Sequence, residues 1–333
     1  MDMRVTYLET GSRDPFYNLA FEEYVLAHRI ERDYLILWQN DNTVVIGRNQ
    51  NAEEEIDRAF VEAHGVRVVR RTTGGGAVYH DLGNLNYSFI TDAGEAENLT
   101  MGRFTKPVTS ALQGLGLRAE ASGRNDILVE GRKVSGTAQR LLNGRILHHG
   151  TLLFDTDPDM VAGALRADPE KFRSKSSKSV RSRVGNIRDF LREDMDLPAF
   201  WEYLKTTLAG AGFVDGALTA EELEGVEVLK REKYDTWEWN FGRSPAYDMI
   251  NKRRWDGGSL EVRVSIKEGR LTDIRFRGDF LSRCPLDSLT EALRGAPFRR
   301  EDVTGVLARF PLGDFFGGIS EEEILETLFH GQG

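Results

Sequence analysis

The pattern of apolar and polar positions predicts helices that alternate with short strands in the first part of the chain. Residues 14–30, DPFYNLAFEEYVLAHRI, carry apolar residues at helical spacing, and Asp14 before a proline is a typical helix start. Residues 34–48, YLILWQNDNTVVIGR, indicate two buried strands around a turn, which predicts a hairpin. A second helix is predicted over residues 52–65, where a glycine ends it.

Strand-like runs continue on both sides of a glycine-rich loop. VRVVRR precedes the loop, and AVYHD and LNYSFI follow it, so the loop is expected at the edge of a sheet. A helix is predicted from about Gly102 to Leu115. Residues 118–155 then alternate short apolar runs with Glu-Gly and Asn-Gly turns, which indicates a second block of sheet.

The C-terminal part of the chain has the pattern of a separate small domain. The segment NFGRSPAYDMINKRRWDGG mixes glycine, proline and charge, and the residues after it predict a hairpin and three helices. Ser320 and Glu323 have capping-box spacing in one of these helices. We therefore expect an α+β fold, with a large domain of mixed and antiparallel sheets and flanking helices over residues 1–248. A small α+β domain is expected over residues 249–333.

Composition narrows the functional classes. The chain has 333 residues, of which 40% are hydrophobic and 29% charged, as in a folded globular protein. The net charge of −9 disfavours nucleic-acid binding, because phosphate contacts require a basic surface. No apolar run reaches the ~18 residues of a membrane span, and the first residues lack a signal-peptide pattern, so we expect a cytoplasmic protein without a membrane partner. The single cysteine, Cys284, excludes an internal disulfide and multi-cysteine metal sites.

Three consecutive glycines, Gly74, Gly75 and Gly76, are the first candidate for chemistry. Without side chains, their backbone can adopt positive φ angles and present N–H groups to a ligand, for which phosphate is the usual partner. Arg70 and Arg71 precede them, and guanidinium groups match phosphate or carboxylate oxygens. The loop matches neither GxxxxGK[ST] nor GxGxxG, so the alternative of a tight connection between strands stays open.

Lys133 is the second candidate, because it begins a predicted strand. Period-two alternation would place Ser135, Thr137 and Gln139 on the same face as this lysine. The row either lines a site or leaves a solvated lysine beside a hairpin turn. His149 is open to a similar choice between ligand contact and a core histidine, and the basic stretch KFRSKSSKSVRSR is either a solvated loop or an anion-capturing lid.

Six segments occur along the chain in a fixed order: RRTTGGGAVYHDLGN, GRND, KVSGTAQ, HHGTLL, KSVRSRVGN and WNFGRSP. In this order and at this spacing, they together resemble the lipoate–protein ligase A family. The resemblance implies a catalytic domain that shares its fold with biotin–protein ligases, followed by a small accessory domain. It also implies a reaction in which lipoate or octanoate is activated by ATP with Mg²⁺ to an acyl-adenylate. The lipoyl group is then transferred to one lysine of an acceptor, expected to be the lipoyl domains of 2-oxoacid dehydrogenase E2 subunits and the glycine cleavage H protein. We expect the enzyme to act as a monomer.

The resemblance assigns roles to positions of this chain. Lys133 is the catalytic residue, and Asp126 is the candidate Mg²⁺ ligand. The residues expected to bind lipoate or the adenylate are Arg70, Arg71, Thr73, Gly74, Gly75, Gly76, Val78, Tyr79, His80, Asn84, Ser135, Gly136, Ala138, Arg140, His149 and Gly150. The residues expected to cover the adenylate are Lys178, Ser179, Val180, Arg181 and Arg183. Thr73 departs from the serine that is frequent in the family, but it retains the hydroxyl group.

Three alternatives remain at this point. An octanoyl- or lipoyl-transferase shares the fold but forms a cysteine thioester, and Cys284 lies far in sequence from every catalytic segment. A biotin ligase would have a differently composed glycine loop and a small C-terminal barrel. A non-catalytic lipoate sensor would keep the glycine loop and lose the lysine at position 133, which is present here.

Overall fold

The structure is a computed structural model that describes residues 5–50, 52–94, 101–123, 125–165, 184–210, 212–241, 249–267 and 269–329. The described strands, numbered along the chain, are β1 (Thr6–Glu9), β2 (Tyr34–Trp38), β3 (Thr43–Ile46), β4 (Arg67–Arg70), β5 (Val78–His80), β6 (Asn84–Asp92), β7 (Ala119–Ser122), β8 (Asp126–Val129), β9 (Arg132–Leu142), β10 (Arg145–Leu153), β11 (Val214–Asp215), β12 (Met249–Trp255), β13 (Gly258–Lys267) and β14 (Arg270–Arg277). The described helices are α1 (Pro15–His28), α2 (Ala52–Glu55), α3 (Arg58–Ala63), α4 (Gly102–Gly114), α5 (Pro158–Ala164), α6 (Leu197–Ala209), α7 (Ala220–Leu229), α8 (Trp237–Asn240), α9 (Asp287–Leu293), α10 (Arg300–Leu307), α11 (Leu312–Phe316) and α12 (Glu321–Leu328). A 3₁₀ turn lies at Ile187–Phe190 and a π-helical turn at Lys230–Tyr234.

An eight-stranded sheet lies at the centre of the larger part of the protein, in the order β11-β1-β2-β6-β10-β9-β8-β7. β1 runs parallel to β2 and β11, whereas the pairs from β2 to β7 are antiparallel. Leu35 and Leu37 of β2 face a core shared with α4 and α6, and Ile36 and Trp38 face a core shared with α1. Because alternate residues serve the two cores, the whole of β2 is buried.

Helix α1 begins as the sequence predicts and brings two carboxylates onto the sheet. Asp14 accepts a hydrogen bond from the backbone N–H of Phe16 at 3.2 Å, and Pro15 occupies the first helical turn. The buried face of the helix includes Glu22 and Glu23 beside its apolar residues. Buried carboxylates need polar partners, and both find them on neighbouring elements described below.

A second, three-stranded sheet has the order β4-β3-β5, with β3 parallel to β4 and antiparallel to β5. The predicted hairpin between β2 and β3 is therefore wrong, because the two strands belong to different sheets. Both edges of β2 are already paired, one with β1 and the other with β6, so β3 has no free edge beside it. The chain instead crosses between sheets at residues 39–42, where Asn42 adopts a φ of 41°.

The C-terminal part forms its own α+β unit. β12, β13 and β14 make an antiparallel sheet, and the predicted hairpin is its β13–β14 pair. Helices α9 to α12 pack on this sheet around a separate apolar core that contains Leu260, Val262, Phe280 and Phe316. The expected fold class, a large domain with mixed sheets and a small α+β domain, is confirmed. In the described part of the chain, no helix is long and apolar enough to cross a membrane.

Candidate active site

A cavity lies between the large sheet and the three-stranded sheet, and many of the predicted site residues meet in it. The predicted residues that line it are Arg71, Gly76, Val78, His80, Lys133, Gly136, Ala138, His149 and Gly150. They come from β5, β9, β10 and the glycine loop, segments that are distant in sequence. The sheet topology therefore assembles one site from several of the sequence motifs.

Sequence reasoning missed several walls of this cavity. Leu19, Trp38 and Val45 add apolar surface, and Asn86 and Thr151 add polar groups from β6 and β10. Trp38 ends a run of buried apolar residues, so nothing in the local pattern marks it as a ligand contact. Asparagines at alternate positions of β6 were a signal, because a buried strand rarely presents amides without a partner to bind.

A β-bulge in β9 decides which residues accompany Lys133. Leu128 pairs with Lys133 and Ile127 pairs with Ser135, so Val134 is an extra residue in the strand. Because the bulge shifts the alternation by one, Gly136 shares a face with Lys133 and Ser135 does not. The predicted row of Ser135, Thr137 and Gln139 on the lysine's face is therefore wrong, although Thr137 still lines the same cavity. Ser135 faces the opposite side, where it lies beside the hydroxyl of Tyr87.

Lys133 forms an ion pair with Asp126, the candidate Mg²⁺ ligand. Their Nζ and Oδ1 atoms are 2.7 Å apart, and the two side chains are 35% and 34% exposed. Such partly solvated pairs add little to stability, so the lysine can exchange this partner for a charged substrate at small cost. Gly136 leaves room for the ammonium group, since a Cβ atom there would lie 3.1 Å from the lysine Nζ.

The three glycines face two different surfaces, since two of them contact the small C-terminal unit and one lines the cavity. A Cβ atom on Gly74 would lie 2.5 Å from the backbone nitrogen of Ser282 and 2.8 Å from the carbonyl oxygen of Phe280. Gly75 has a φ of +88°, and its N–H donates to the same Phe280 carbonyl at 3.0 Å. Only Gly76 lines the cavity. The sequence interpretation placed all three glycines against a ligand, but the small C-terminal unit occupies that side of Gly74 and Gly75.

Arg71 is buried and holds the glycine loop in place through hydrogen bonds. Its guanidinium group donates to the carbonyl oxygens of Gly74 at 2.6 Å, Gly76 at 2.8 Å and Val45 at 3.1 Å. Its Nε–H donates to the hydroxyl of Thr73 at 2.9 Å. Burial lowers the pKa of Arg71 to about 10, so the group remains charged at neutral pH.

Arg70 lies away from the cavity lining, in a second cleft beside Trp239. Its guanidinium group donates to the carbonyl oxygens of Gln50 at 2.7 Å, Asn240 at 2.8 Å and Gly47 at 2.9 Å. Burial, followed by the charges of neighbouring arginines, lowers its pKa to about 9. Among the described residues, its contacts are those of a structural cation rather than a cavity-lining group.

His80 and His149 both reach the cavity wall but differ in their partners. Asn40 contacts Nδ1 of His80 at 3.1 Å, while Nε2 has no hydrogen-bond partner among the described residues. Burial, followed by the charges of Arg71 and His149, lowers the pKa of His80 to about 3, so its imidazole is neutral at physiological pH. His149 instead lies within hydrogen-bond distance of Glu22 on one side and Thr73 on the other.

Four further residues that were predicted to bind the ligand are not part of the cavity lining. Tyr79 donates to the side chain of Asn42, and Asn84 donates to that of Asn86. Arg140 donates to Glu23 at 2.8 Å, and Thr73 is completely buried. The residues of the predicted adenylate-covering segment, Lys178, Ser179, Val180, Arg181 and Arg183, lie outside the described part of the chain.

Comparison with protein families gives two matches along the chain. The model of the lipoyl protein ligase A/B catalytic domain matches residues 14–209, and the model of the bacterial lipoate protein ligase C-terminus matches residues 244–328. The lipoate-protein ligase LplJ of Bacillus subtilis is 41% identical over 95% of this chain and 97% of its own length. Lipoate–protein ligase 1 of Staphylococcus aureus is 39% identical, with the same coverage of both chains.

Solved structures agree with these matches. A bi-partite lipoate protein ligase of Thermoplasma acidophilum, described with its E2 lipoyl domain, is 33% identical with a TM-score of 0.62 and covers 75% of this chain and all of its own. A lipoate ligase structure from the same organism with bound lipoic acid is 30% identical, with a TM-score of 0.61, and covers 73% of this chain and 100% of its own. A lipoate-protein ligase A bound with ATP is 31% identical, with a TM-score of 0.61, and covers 73% of this chain and 99% of its own. The chain therefore belongs to the lipoate–protein ligase family.

Proposed function

We propose that this protein activates lipoate, or octanoate, with ATP and transfers the acyl group to a lysine of an acceptor lipoyl domain. The observation that carries the proposal is the cavity itself, which joins apolar walls of Leu19, Trp38 and Val45 to Lys133 and the glycine loop. Apolar walls suit an aliphatic chain, and a lysine suits the charges of a carboxylate and a phosphate. Relatives that contain lipoic acid or ATP support the assignment.

In the first step, a lipoate carboxylate oxygen attacks the α-phosphorus of ATP. The new bond joins that oxygen to the α-phosphorus. The bond between the α-phosphorus and the oxygen that bridges the α- and β-phosphates breaks, and pyrophosphate leaves with the electron pair. Negative charge grows on the α-phosphate oxygens as this happens. Lys133 offers a cation at the cavity surface to stabilise this charge. The lysine is available for this role because its ion pair with Asp126 is partly exposed to solvent.

In the second step, the neutral amine of the acceptor lysine attacks the acyl carbonyl, AMP leaves with the electrons of the broken C–O bond, and the nitrogen loses one proton to solvent. The same ammonium group of Lys133, at the surface of the cavity, stabilises the charge that develops on the carbonyl oxygen. The apolar walls exclude water, which protects the mixed anhydride from hydrolysis. His80 is neutral at physiological pH, so it acts through hydrogen bonding rather than as a fixed cation.

The residues present fit Mg²⁺ as a companion of ATP. No group of three or more His, Cys, Asp or Glu side chains in the described residues could hold a metal by itself. Mg²⁺ commonly uses one or two carboxylates together with phosphate oxygens and water, and Asp126, paired with Lys133 at the cavity, supplies such a carboxylate. When bound, the ion would neutralise phosphate charge, while Lys133 retains the role described above.

Several finer assignments belong to the same proposal. The acceptors are the lipoyl domains of 2-oxoacid dehydrogenase E2 subunits and the glycine cleavage H protein, and the enzyme works as a cytoplasmic monomer. The catalytic domain comprises residues 1–248 and the accessory domain residues 249–333, a division supported by their separate apolar cores. The basic segment from Lys178 to Arg183 covers the adenylate.

The test is the intact mass of an unmodified lipoyl domain after incubation with the protein, MgATP and free lipoate. We expect a lipoyl-sized gain that requires ATP and falls about 10²–10³-fold in rate with Lys133→Ala. Lys267→Ala, at an exposed lysine of the small unit, is the matched control and should behave as the wild type. A gain from octanoyl carrier protein without ATP, and none from free lipoate, would show that the protein is a transferase.

A further inference from the structure

A chain of buried hydrogen bonds connects the apolar wall of the cavity to the glycine loop. Trp38 donates its indole N–H to the hydroxyl of Ser88 at 2.8 Å, and Ser88 donates to the Glu22 carboxylate at 2.5 Å. Both Glu22 oxygens lie at 2.9 and 3.0 Å from Nδ1 of His149. On the other side of the ring, Nε2 of His149 lies 2.8 Å from the hydroxyl of Thr73.

The chain then continues into the loop through Arg71. The Nε–H of Arg71 donates to the Thr73 hydroxyl oxygen, and its Nη2 donates to the carbonyls of Gly74 and Gly76. Because each peptide unit is planar, fixing the Gly76 carbonyl also fixes the N–H of Ala77, which lines the cavity. The loop backbone is thus oriented by the arginine, and the arginine by the hydroxyl group.

Donors and acceptors along this chain can be matched in only one complete way. Glu22 is an acceptor when ionised, so His149 donates to it from Nδ1 and presents Nε2 as an acceptor. Thr73 then donates its hydroxyl proton to Nε2 and accepts from Arg71, which uses the donor and acceptor capacity of the hydroxyl at the same time. If the imidazole carried both protons, the threonine proton would have no acceptor within this chain of bonds.

The two ends of the chain belong to different parts of the proposed reaction. Trp38 and His149 line the cavity beside Leu19 and Val45, where an aliphatic chain would lie, and Gly76 and Ala77 belong to the glycine loop. Glu22 is 3% exposed and Thr73 is fully buried, so neither meets solvent. The proposed chemistry of Lys133 uses neither of them, yet both are polar and fully hydrogen-bonded, which is the arrangement that holds groups in a fixed orientation.

Resting on the proposed function, we infer that Thr73 is a positioning residue that couples acyl-chain binding to nucleotide binding. An acyl chain packed against Trp38 and His149 restricts the imidazole, and the imidazole restricts the Thr73 hydroxyl. The Thr73 hydroxyl in turn restricts Arg71, and Arg71 restricts the carbonyl groups of the glycine loop. The loop is therefore ordered before ATP binds. Thr73 does this through His149 and Arg71, without itself reaching the cavity.

The test measures binding rather than turnover, so that it is separate from the acyl-transfer assay. The affinity for α,β-methylene-ATP, in which the bond broken in the first step is replaced, is measured by calorimetry with and without lipoate. In the wild type, lipoate should increase the affinity for the analogue by about fivefold or more, which is the lower end of the range typical of coupling between two sites. Thr73→Val removes the hydroxyl at nearly constant volume, and its coupling ratio should fall to about one by the same reasoning.

Two further variants make the result specific. Thr73→Ser restores the hydroxyl and should recover the wild-type ratio, and Thr72→Val at the buried neighbouring threonine should keep it. If Thr73→Val fails to fold by circular dichroism, Ser88→Ala interrupts the same chain at its other end and should also lower the ratio. A wild-type ratio in folded Thr73→Val, or a ratio of one in an active wild-type enzyme, would overturn the coupling role. Absence of acyl transfer by the wild type would instead overturn the proposed function.

Discussion

At the scale of single residues, the glycine loop shows two distinct reasons for lacking side chains. Gly74 is closed in by the backbone of Ser282 and Phe280, whereas a Cβ atom on Gly76 would have its nearest neighbour, the Cβ of Asp279, at 3.9 Å. The first glycine is therefore required by packing between the two units of the protein. The third is open on that side, and its constraint comes from the cavity that it lines.

Gly74→Ala should therefore destabilise the protein. A methyl group 2.5 Å from a backbone nitrogen forces the two units apart, and overpacking of this kind typically lowers the free energy of unfolding by about 1–3 kcal/mol. Denaturant unfolding of Gly74→Ala beside Gly76→Ala measures this effect. We expect a clear loss for the first variant and little change in stability for the second, and equal stabilities would contradict the close packing.

Cys284→Ser should retain full ligase activity. The thiol is half-buried in the C-terminal unit, and burial, followed by the charge of Asp314, raises its pKa, so little thiolate is present at neutral pH. It is not among the described residues that line the cavity. The intact-mass assay is the measurement, and an inactive variant of normal stability would favour the thioester transferase over the ligase.

At the scale of elements, local sequence signals were reliable where the interaction lies within one element. The predicted capping box is present on α12, where Glu323 N–H donates to the Ser320 hydroxyl at 3.3 Å and the Glu323 carboxylate accepts from Ser320 N–H at 2.7 Å. The helix start at Asp14 and the β13–β14 hairpin follow similar short-range rules. Each depends on residues only a few positions apart.

Ser320→Ala should lower the free energy of unfolding by about 1 kcal/mol, because it leaves a backbone N–H of the first turn without its acceptor. Ser320→Asp preserves an acceptor at the same position and serves as the matched control. Thermal or denaturant unfolding of both variants is sufficient. Equal losses in the two variants would show that the hydrogen bond to the helix N-terminus is not the source of the effect.

At the scale of the whole molecule, buried neutral histidines should make stability depend on pH. His148 is completely buried and stacks on Phe104, and burial lowers its pKa to about 3, as it does for His80. In the unfolded chain the pKa of a histidine is about 6.5. Between these values the unfolded state binds protons that the folded state does not, so stability is full above about pH 6.5 and decreases as pH falls.

His148→Gln should therefore make the loss of stability between pH 6 and 5 shallower, by up to about 1.4 kcal/mol per pH unit. The glutamine amide oxygen can still accept the hydrogen bond that Gln139 makes to the ring. Denaturant unfolding of the wild type and the variant at several pH values gives the two slopes. Identical slopes would indicate that the imidazole is protonated in the folded protein as well.

The sequence predicted the fold class and much of the cavity, but it failed where distant segments decide the outcome. The β2–β3 hairpin was wrong because β1 and β6, far apart in the chain, occupy both edges of β2. Ser135 was placed on the wrong face because one extra residue, Val134, shifts the strand register. Nothing in the local pattern of the glycine loop shows that a segment far later in the chain packs against it.

The contact between the glycine loop and the C-terminal unit has a consequence for enzyme engineering. Phe280 and Ser282 touch the loop directly, and the backbone of Arg283 accepts a hydrogen bond from Leu141, which follows the cavity residues of β9. A library that seeks a wider choice of acyl chains by varying only the cavity walls would leave this outer support unchanged. Randomising positions 280–283 together with Trp38 should therefore give enzyme variants that accept acyl chains which are not accepted when either 280–283 or Trp38 is varied alone.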